Sequence, residues 1–134
     1  MRRRALLQLA LLALAACAET VAPLDPVWGK QPCASCGMVV GDRRYAAQML
    51  TADGRRSYFD DPGCLVQHLA DRRLAPQGAW VRDGRGDRWL DARAARYVAG
   101  ARTPMDFGFE ARADEGVSFD AFSAEILQKR KASP

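Results

Sequence analysis

The chain has 134 residues, 49% of them hydrophobic, with 20 Lys and Arg against 16 Asp and Glu and a formal net charge of +4. Three of those cations, Arg2, Arg3 and Arg4, lie in an N-terminal leader, so residues 17–134 carry 17 basic against 16 acidic groups and a net charge of +1. Charges of both signs are interspersed, as on a solvated surface, so the basic isoelectric point is no argument for a nucleic-acid partner, and the length suits one compact domain or two small halves sharing a core.

Arg2, Arg3 and Arg4 form a positive n-region, and Ala5–Ala16 is an apolar stretch broken only by Gln8. It is too short to remain as a spanning helix and reads as a signal peptide, residues 1–16. It ends in Leu14-Ala15-Ala16-Cys17, the pattern of a bacterial lipobox, in which Cys17 is acylated; an ordinary secretory signal cleaved nearby is the alternative. Both export the chain. Acyl chains on Cys17 would hold it at a membrane surface without a transmembrane helix. Residues 17–32 contain Pro23, Pro26 and Pro32 and no periodic pattern, which reads as a tether.

The folded region begins at about residue 33. Tyr45 to Leu50 reads as a strand, Ala52-Asp53-Gly54 as a turn and Arg56 to Phe59 as the returning strand. Asp61 and Pro62 are a cap and first residue for a helix reaching about Arg72, with Leu65, Val66 and Leu69 turned inward. Ala79–Arg82 and Arg88–Leu90 suggest a second hairpin around residues 83–87. Residues 91–98 read as a helical turn followed by a short strand. Phe107–Ala113 and Val117–Phe119 suggest a third pairing around Glu115-Gly116, and Ser118 or Asp120 caps a last helix to about Lys131.

A weak internal repeat emerges. Strand, Asp53-Gly54, Ser57-Tyr58-Phe59-Asp60 and helix are echoed by strand, Glu115-Gly116, Ser118-Phe119-Asp120 and helix. A methionine precedes each unit, Met38 in the first and Met105 in the second. The expected fold is α+β, with halves of about 33–75 and 76–134 facing one another so that Met38 and Met105 approach a shared site.

The chemistry lies in Cys33-Ala34-Ser35-Cys36-Gly37-Met38. Soft sulfur donors in an exported protein select Cu(I), Zn or disulfide chemistry. An extended Cys36-Gly37-Met38 would place both sulfurs on one face. A thiolate with neutral thioethers suits a releasable Cu(I) and is poor for zinc. Of four cysteines, an acylated Cys17 leaves Cys33, Cys36 and Cys64, an odd number that mildly favours metal over a disulfide framework. Cys64 and His68, four apart on the first helix, combine with Cys33 and Cys36 into C-x2-C…C-x3-H, a pattern that allows zinc. Cys33 and Cys36 also allow thiol–disulfide exchange, although Pro32 before them and Gly37-Met38-Val39-Val40 after them favour a turn into a strand over the helix start such a motif needs. Asp60 and Asp61 read as helix-capping residues.

With these motifs in order, the chain resembles the NosL family, accessory lipoproteins of nitrous oxide reductase maturation. The resemblance is carried by Leu14-Ala15-Ala16-Cys17, Cys33-Ala34-Ser35-Cys36-Gly37-Met38, Ala46-Ala47-Gln48-Met49, Phe59-Asp60-Asp61-Pro62-Gly63-Cys64 and Thr103-Pro104-Met105. It implies two small ββαβ-like units in one compact domain and a non-enzymatic Cu(I) chaperone. Its cargo would serve the copper–sulfide centre of apo-nitrous oxide reductase, alongside a membrane ABC-type complex. It implies Cys36, Met38 and Met105 as copper ligands, with Cys33, Cys64 and His68 as further candidates. Many relatives carry a histidine between the two cysteines, where this chain has Ala34 and Ser35. The implied location is a lipid-anchored, periplasm-facing one, with the outer membrane favoured. A zinc- or disulfide-stabilised envelope adaptor and a Cys33/Cys36 oxidoreductase are the competing readings.

Overall fold

A computed structural model describes residues 21–133; the leader and Cys17 lie outside them. A single 3-10 turn, Arg43–Tyr45, leads into β1, Ala47–Leu50, which hairpins to β2, Arg56–Phe59. Helix α1, Pro62–Arg72, starts where the sequence places it. The Asp61 side chain accepts from the Gly63 N–H at 2.9 Å, and Pro62 occupies a position whose N–H has no helical partner. Arg73 stops the helix in the left-handed conformation.

The chain returns through β3, Gly78–Arg82, and β4, Trp89–Asp91, to give an antiparallel sheet in the order β2-β1-β3-β4. This sheet runs across the residue 75/76 boundary expected between the halves. A second sheet pairs β5, Arg96–Ala99, with β6, Phe109–Arg112. Helix α2, Phe119–Ala132, follows, its first turn capped by Ser118, which accepts from the Ala121 N–H. The α+β class is as expected. The first unit is a complete ββαβ, and the second is ββα among the described residues. None of the helices among them is long and apolar enough to cross a membrane.

The expected third hairpin is replaced by a different pairing. β6 pairs with β5, and Val117 forms a single bridge to Tyr97 of β5. Ser118 diverts the chain into α2 before a returning strand can grow. Gly116 makes the bridge possible: its φ is +113°, and a Cβ there would lie 2.2 Å from the Tyr97 carbonyl oxygen.

Register sorts the larger sheet into two faces. Ala47 sits opposite Phe59 and Val81 on the inner face, which packs with Leu65, Phe122 and Ile126 in the core. Tyr97 stacks on Phe122 at 4.1 Å between ring centroids, and Phe109 meets Phe122 edge-on at 5.1 Å. The outer face carries Gln48, Tyr58, Trp80 and Arg82.

That outer face is covered by residues 22–31, so part of the segment expected as a tether is fastened to the sheet. Fully buried Gln48 accepts from the Leu24 N–H at 3.1 Å and donates to its carbonyl at 3.0 Å. Arg56 and Tyr58 donate to the carbonyls of Ala22 and Leu24. Asp25 accepts from the Trp89 indole at 2.8 Å, and Trp28 stacks near Trp89. The sequence hides this because an irregular proline-containing strap pairs with no neighbour in sequence; its partners lie on distant strands.

Candidate metal centre

The strap runs directly into the cysteine loop. Pro32 bridges Val39, the Cys33 N–H donates to the Met38 carbonyl at 2.7 Å, and the Gly37 N–H donates to the Cys33 carbonyl at 3.0 Å. The result is a closed turn. Gly37 takes φ +79°, a conformation that suits glycine, so Cys36-Gly37-Met38 is not the extended segment expected from sequence. Instead of sharing a face, Cys36 is half-buried and Met38 is 59% exposed.

The turn is docked by the Ala34 N–H, which donates to the Tyr58 carbonyl on β2 at 2.8 Å. This sets the cysteines beside the β2–α1 junction. There Asp60 leaves the strand and Cys64 enters on the first turn of α1. One donor atom from each of Cys33, Cys36, Asp60 and Cys64 lies within 4.8 Å of all the others. Asp60 Oδ1 accepts from the Cys36 thiol at 3.3 Å and from the Cys64 thiol at 3.5 Å. Cys33, Asp60 and Cys64 are buried, and Cys36 forms the accessible edge. Cys33, Cys36 and Cys64, the cysteines among the described residues, are free thiols.

The thiols are electrostatically unequal. Cys33 is lowered to about 6, chiefly by the hydrogen bond from the Cys64 thiol and with help from the Cys36 backbone N–H, which approaches its sulfur at 3.5 Å. Cys36 is raised to about 11, mainly by burial. Cys64 is pushed far up, because its single thiol proton is shared between the Cys33 sulfur and Asp60 Oδ1 and because it is buried. One negative sulfur, stabilised by donors, therefore sits beside thiols that stay protonated until a cation joins them.

The donor set fits a soft cation. Sulfurs bound tetrahedrally at 2.3 Å lie about 3.8 Å apart, so only a small contraction would bring this cluster onto an ion. Three sulfurs also satisfy a low-coordinate Cu(I), for which the harder carboxylate is a weaker ligand.

The other candidates lie around this cluster. The Met105 backbone N–H donates to Asp61 Oδ2 at 3.0 Å, which ties the Thr103-Pro104-Met105 loop to the start of α1 next to Asp60. Asp61 therefore caps α1 and anchors this loop; burial raises its pKa, and hydrogen bonds from Thr103, Gly63 and Met105 oppose that rise. The Met105 side chain is 36% exposed. His68, one turn beyond Cys64, is buried edge-on against Phe59 at 5.2 Å and is not one of the four clustered donors. Its pKa is lowered, chiefly by desolvation.

Sequence reasoning missed Asp60 as a donor because Asp60-Asp61 looked like a single capping pair. The available signal was its position four residues before Cys64, at the end of a strand. What makes it a donor, the docking of the 33–36 turn, is a contact between distant segments.

No family model matches the chain, and no curated protein matches it by sequence. Among solved structures, it is similar to the crystal structure of the copper chaperone NosL from Shewanella denitrificans, with a TM-score of 0.60 and 18% identity. The match covers 79% of this chain and 87% of that one. At that identity the likeness shows a shared fold.

Proposed function

We propose that the chain is a NosL-like copper chaperone, an exported lipoprotein that carries one Cu(I) as cargo and performs no turnover chemistry. The observation that carries this reading is the convergence of Cys33, Cys36, Cys64 and Asp60 within 4.8 Å. It occurs in a fold similar to that of a copper chaperone. Buried Cys33 and Cys64 retain the ion, and Cys36 receives it at the accessible edge. Exposed Met38 and the tethered Met105 supply neutral thioethers, which bind a soft ion without losing a proton and suit hand-over by ligand exchange. On this reading Cys17 is acylated, the domain faces the periplasm, and the recipient is apo-nitrous oxide reductase, reached with a membrane ABC-type complex.

The Asp60 carboxylate favours a second reading, since three thiolates and one oxygen complete a tetrahedral zinc site. The exposed methionines separate the two. Anaerobic Cu(I) titration of the reduced protein against a competing chelator should show one tight equivalent that weakens in Met38→Leu. Zinc retention with no tight Cu(I) equivalent would establish the structural-zinc reading instead.

A further inference from the structure

Among the described residues seven large hydrophobic side chains are exposed, and five of them belong to the strap and the cysteine loop: Val21, Leu24, Val27, Met38 and Val39. Val21, Leu24 and Val27 recur every third residue in a segment containing Pro23 and Pro26, and an extended proline-rich chain aligns that spacing along one edge. Leu24 shows the orientation directly. Both its backbone polar groups turn down onto Gln48, while its side chain is 59% exposed.

The ridge continues into the cysteine loop through paired backbone. The Gly29 N–H donates to the Val40 carbonyl, and the Val40 N–H donates to the Gln31 carbonyl. Exposed Lys30 lies on the strap and exposed Arg43 on the 3-10 turn, stacked over Trp28 at 4.8 Å, while Arg44 is paired with Asp42. A narrow apolar edge with cations beside it is the chemistry of an interfacial element.

Chain length supports the same occupant. Val21 is four residues from Cys17, and fully extended backbone spans at most about 14 Å over that distance. Acyl chains on Cys17 would hold the ridge within reach of the bilayer surface.

We propose that this ridge rests on the lipid surface. Val21, Leu24 and Val27 sit among the upper acyl chains, with Lys30 and Arg43 at headgroup level. The domain is thereby oriented rather than left swinging on its anchor, and the Met38 side of the metal loop faces the membrane plane. The inference rests on the reading of the chain as a lipid-anchored metal carrier.

The test uses the full lipidated protein in vesicles of phosphatidylethanolamine and phosphatidylglycerol whose acyl chains are brominated near the headgroup. Bromine quenches nearby tryptophan, and Trp28 ends the ridge. Wild-type emission should be quenched, and the quenching should be lost in the double variant Leu24→Asp, Val27→Asp, which still floats with the vesicles. Both changes are at exposed positions, and an unchanged circular dichroism spectrum checks the fold. Absence of quenching in wild type, with flotation intact, overturns the proposal without recourse to any variant. So does a cross-linked dimer formed through the ridge, which would identify a second copy as its occupant. A mature mass without acyl chains, together with loss of flotation, overturns the anchor and this inference with it. Cu(I) titration of the same sample reports on the metal reading independently.

Discussion

Cys36 and Asp60, separated by 24 residues of chain, meet at 3.3 Å, with the thiol donating to Oδ1. The same oxygen accepts from Cys64 at 3.5 Å. One carboxylate thus holds two sulfurs, from a loop and from a helix, in position around a common volume. Asp60→Ala would leave two partly or wholly buried thiols without that acceptor, at a cost of about 1–3 kcal/mol in stability. Chemical denaturation should show this loss. Cu(I) affinity should fall less than it does in Cys36→Ser, because sulfur carries the soft-metal binding.

Local features of this site were legible in the sequence, and long-range ones were not. Asp61-Pro62 marks the start of α1 within a single turn of chain, and the runs Tyr45–Leu50 and Arg56–Phe59 around the turn Ala52-Asp53-Gly54 mark a hairpin. The docking of Ala34 on Tyr58 depends on a backbone hydrogen bond between segments 24 residues apart, and it determines that Asp60 rather than His68 joins the thiols. The pairing of β6 with β5 was hidden for a related reason. Both candidate partners of β6 have strand-like patterns, and Gly116 packing against Tyr97 selects between them only in the folded chain.

His68 and Cys64 should therefore separate cleanly. Cys64→Ser replaces a clustered sulfur and should lower Cu(I) affinity by tenfold or more, read by chelator competition. His68→Gln should leave that affinity unchanged while lowering thermal stability, because it removes the ring packed against Phe59. The lowered pKa of His68 adds a pH signature. Its neutral form stabilises the fold above about pH 6.5, and that contribution is lost as pH falls through the depressed folded value. The variant should lose this acid sensitivity.

Metal affinity should rise with pH. Cys36, raised to about 11, and Cys64, also raised, hold their protons in the metal-free protein near neutrality. An ion bound by both must displace those protons, so the affinity gains up to about tenfold per pH unit for each proton released. Cys33, lowered to about 6, is already a thiolate above that pH and adds a further proton to the balance below it. The slope of log affinity against pH should therefore steepen on acidification. Cu(I) competition between pH 5 and pH 8 checks this, and a flat profile would count against thiolate ligation by Cys36 and Cys64.

Asp61 links the helix cap to the methionine loop through its two oxygens. In Asp61→Asn one side-chain oxygen can still accept from Gly63, but an amide nitrogen then faces the Met105 N–H. Helix α1 should persist in circular dichroism while the Met105 amide loses protection from hydrogen exchange. The raised pKa of Asp61 sets the sign of a second effect. Stability from the protonated side chain is full below the unfolded value and is lost as pH rises through the folded one, so wild type should lose stability over that interval. Asp61→Asn has no group to titrate there and should flatten the curve.

Gln48 is the corresponding anchor on the other face of the sheet. Its amide satisfies both backbone groups of Leu24 and receives the Arg56 guanidinium, while remaining fully buried. Gln48→Ala leaves the Leu24 N–H without its partner and the Leu24 carbonyl with the Tyr58 hydroxyl alone, a cost of about 1–3 kcal/mol. The loss should be local first. Residues 22–28 are held mainly by side chains reaching up from the sheet, whereas the core around Phe59 and Phe122 lies on the opposite face. Limited proteolysis should therefore cut the variant within the strap before global unfolding begins. Gln48→Glu tests the same geometry by another route. A carboxylate still accepts from the Leu24 N–H and pairs with Arg56, but it cannot donate to the Leu24 carbonyl. Its strap should be cut at a rate between those of wild type and the alanine variant. Equal cutting of all three would mean that Trp28 and Asp25, rather than Gln48, hold the strap in place.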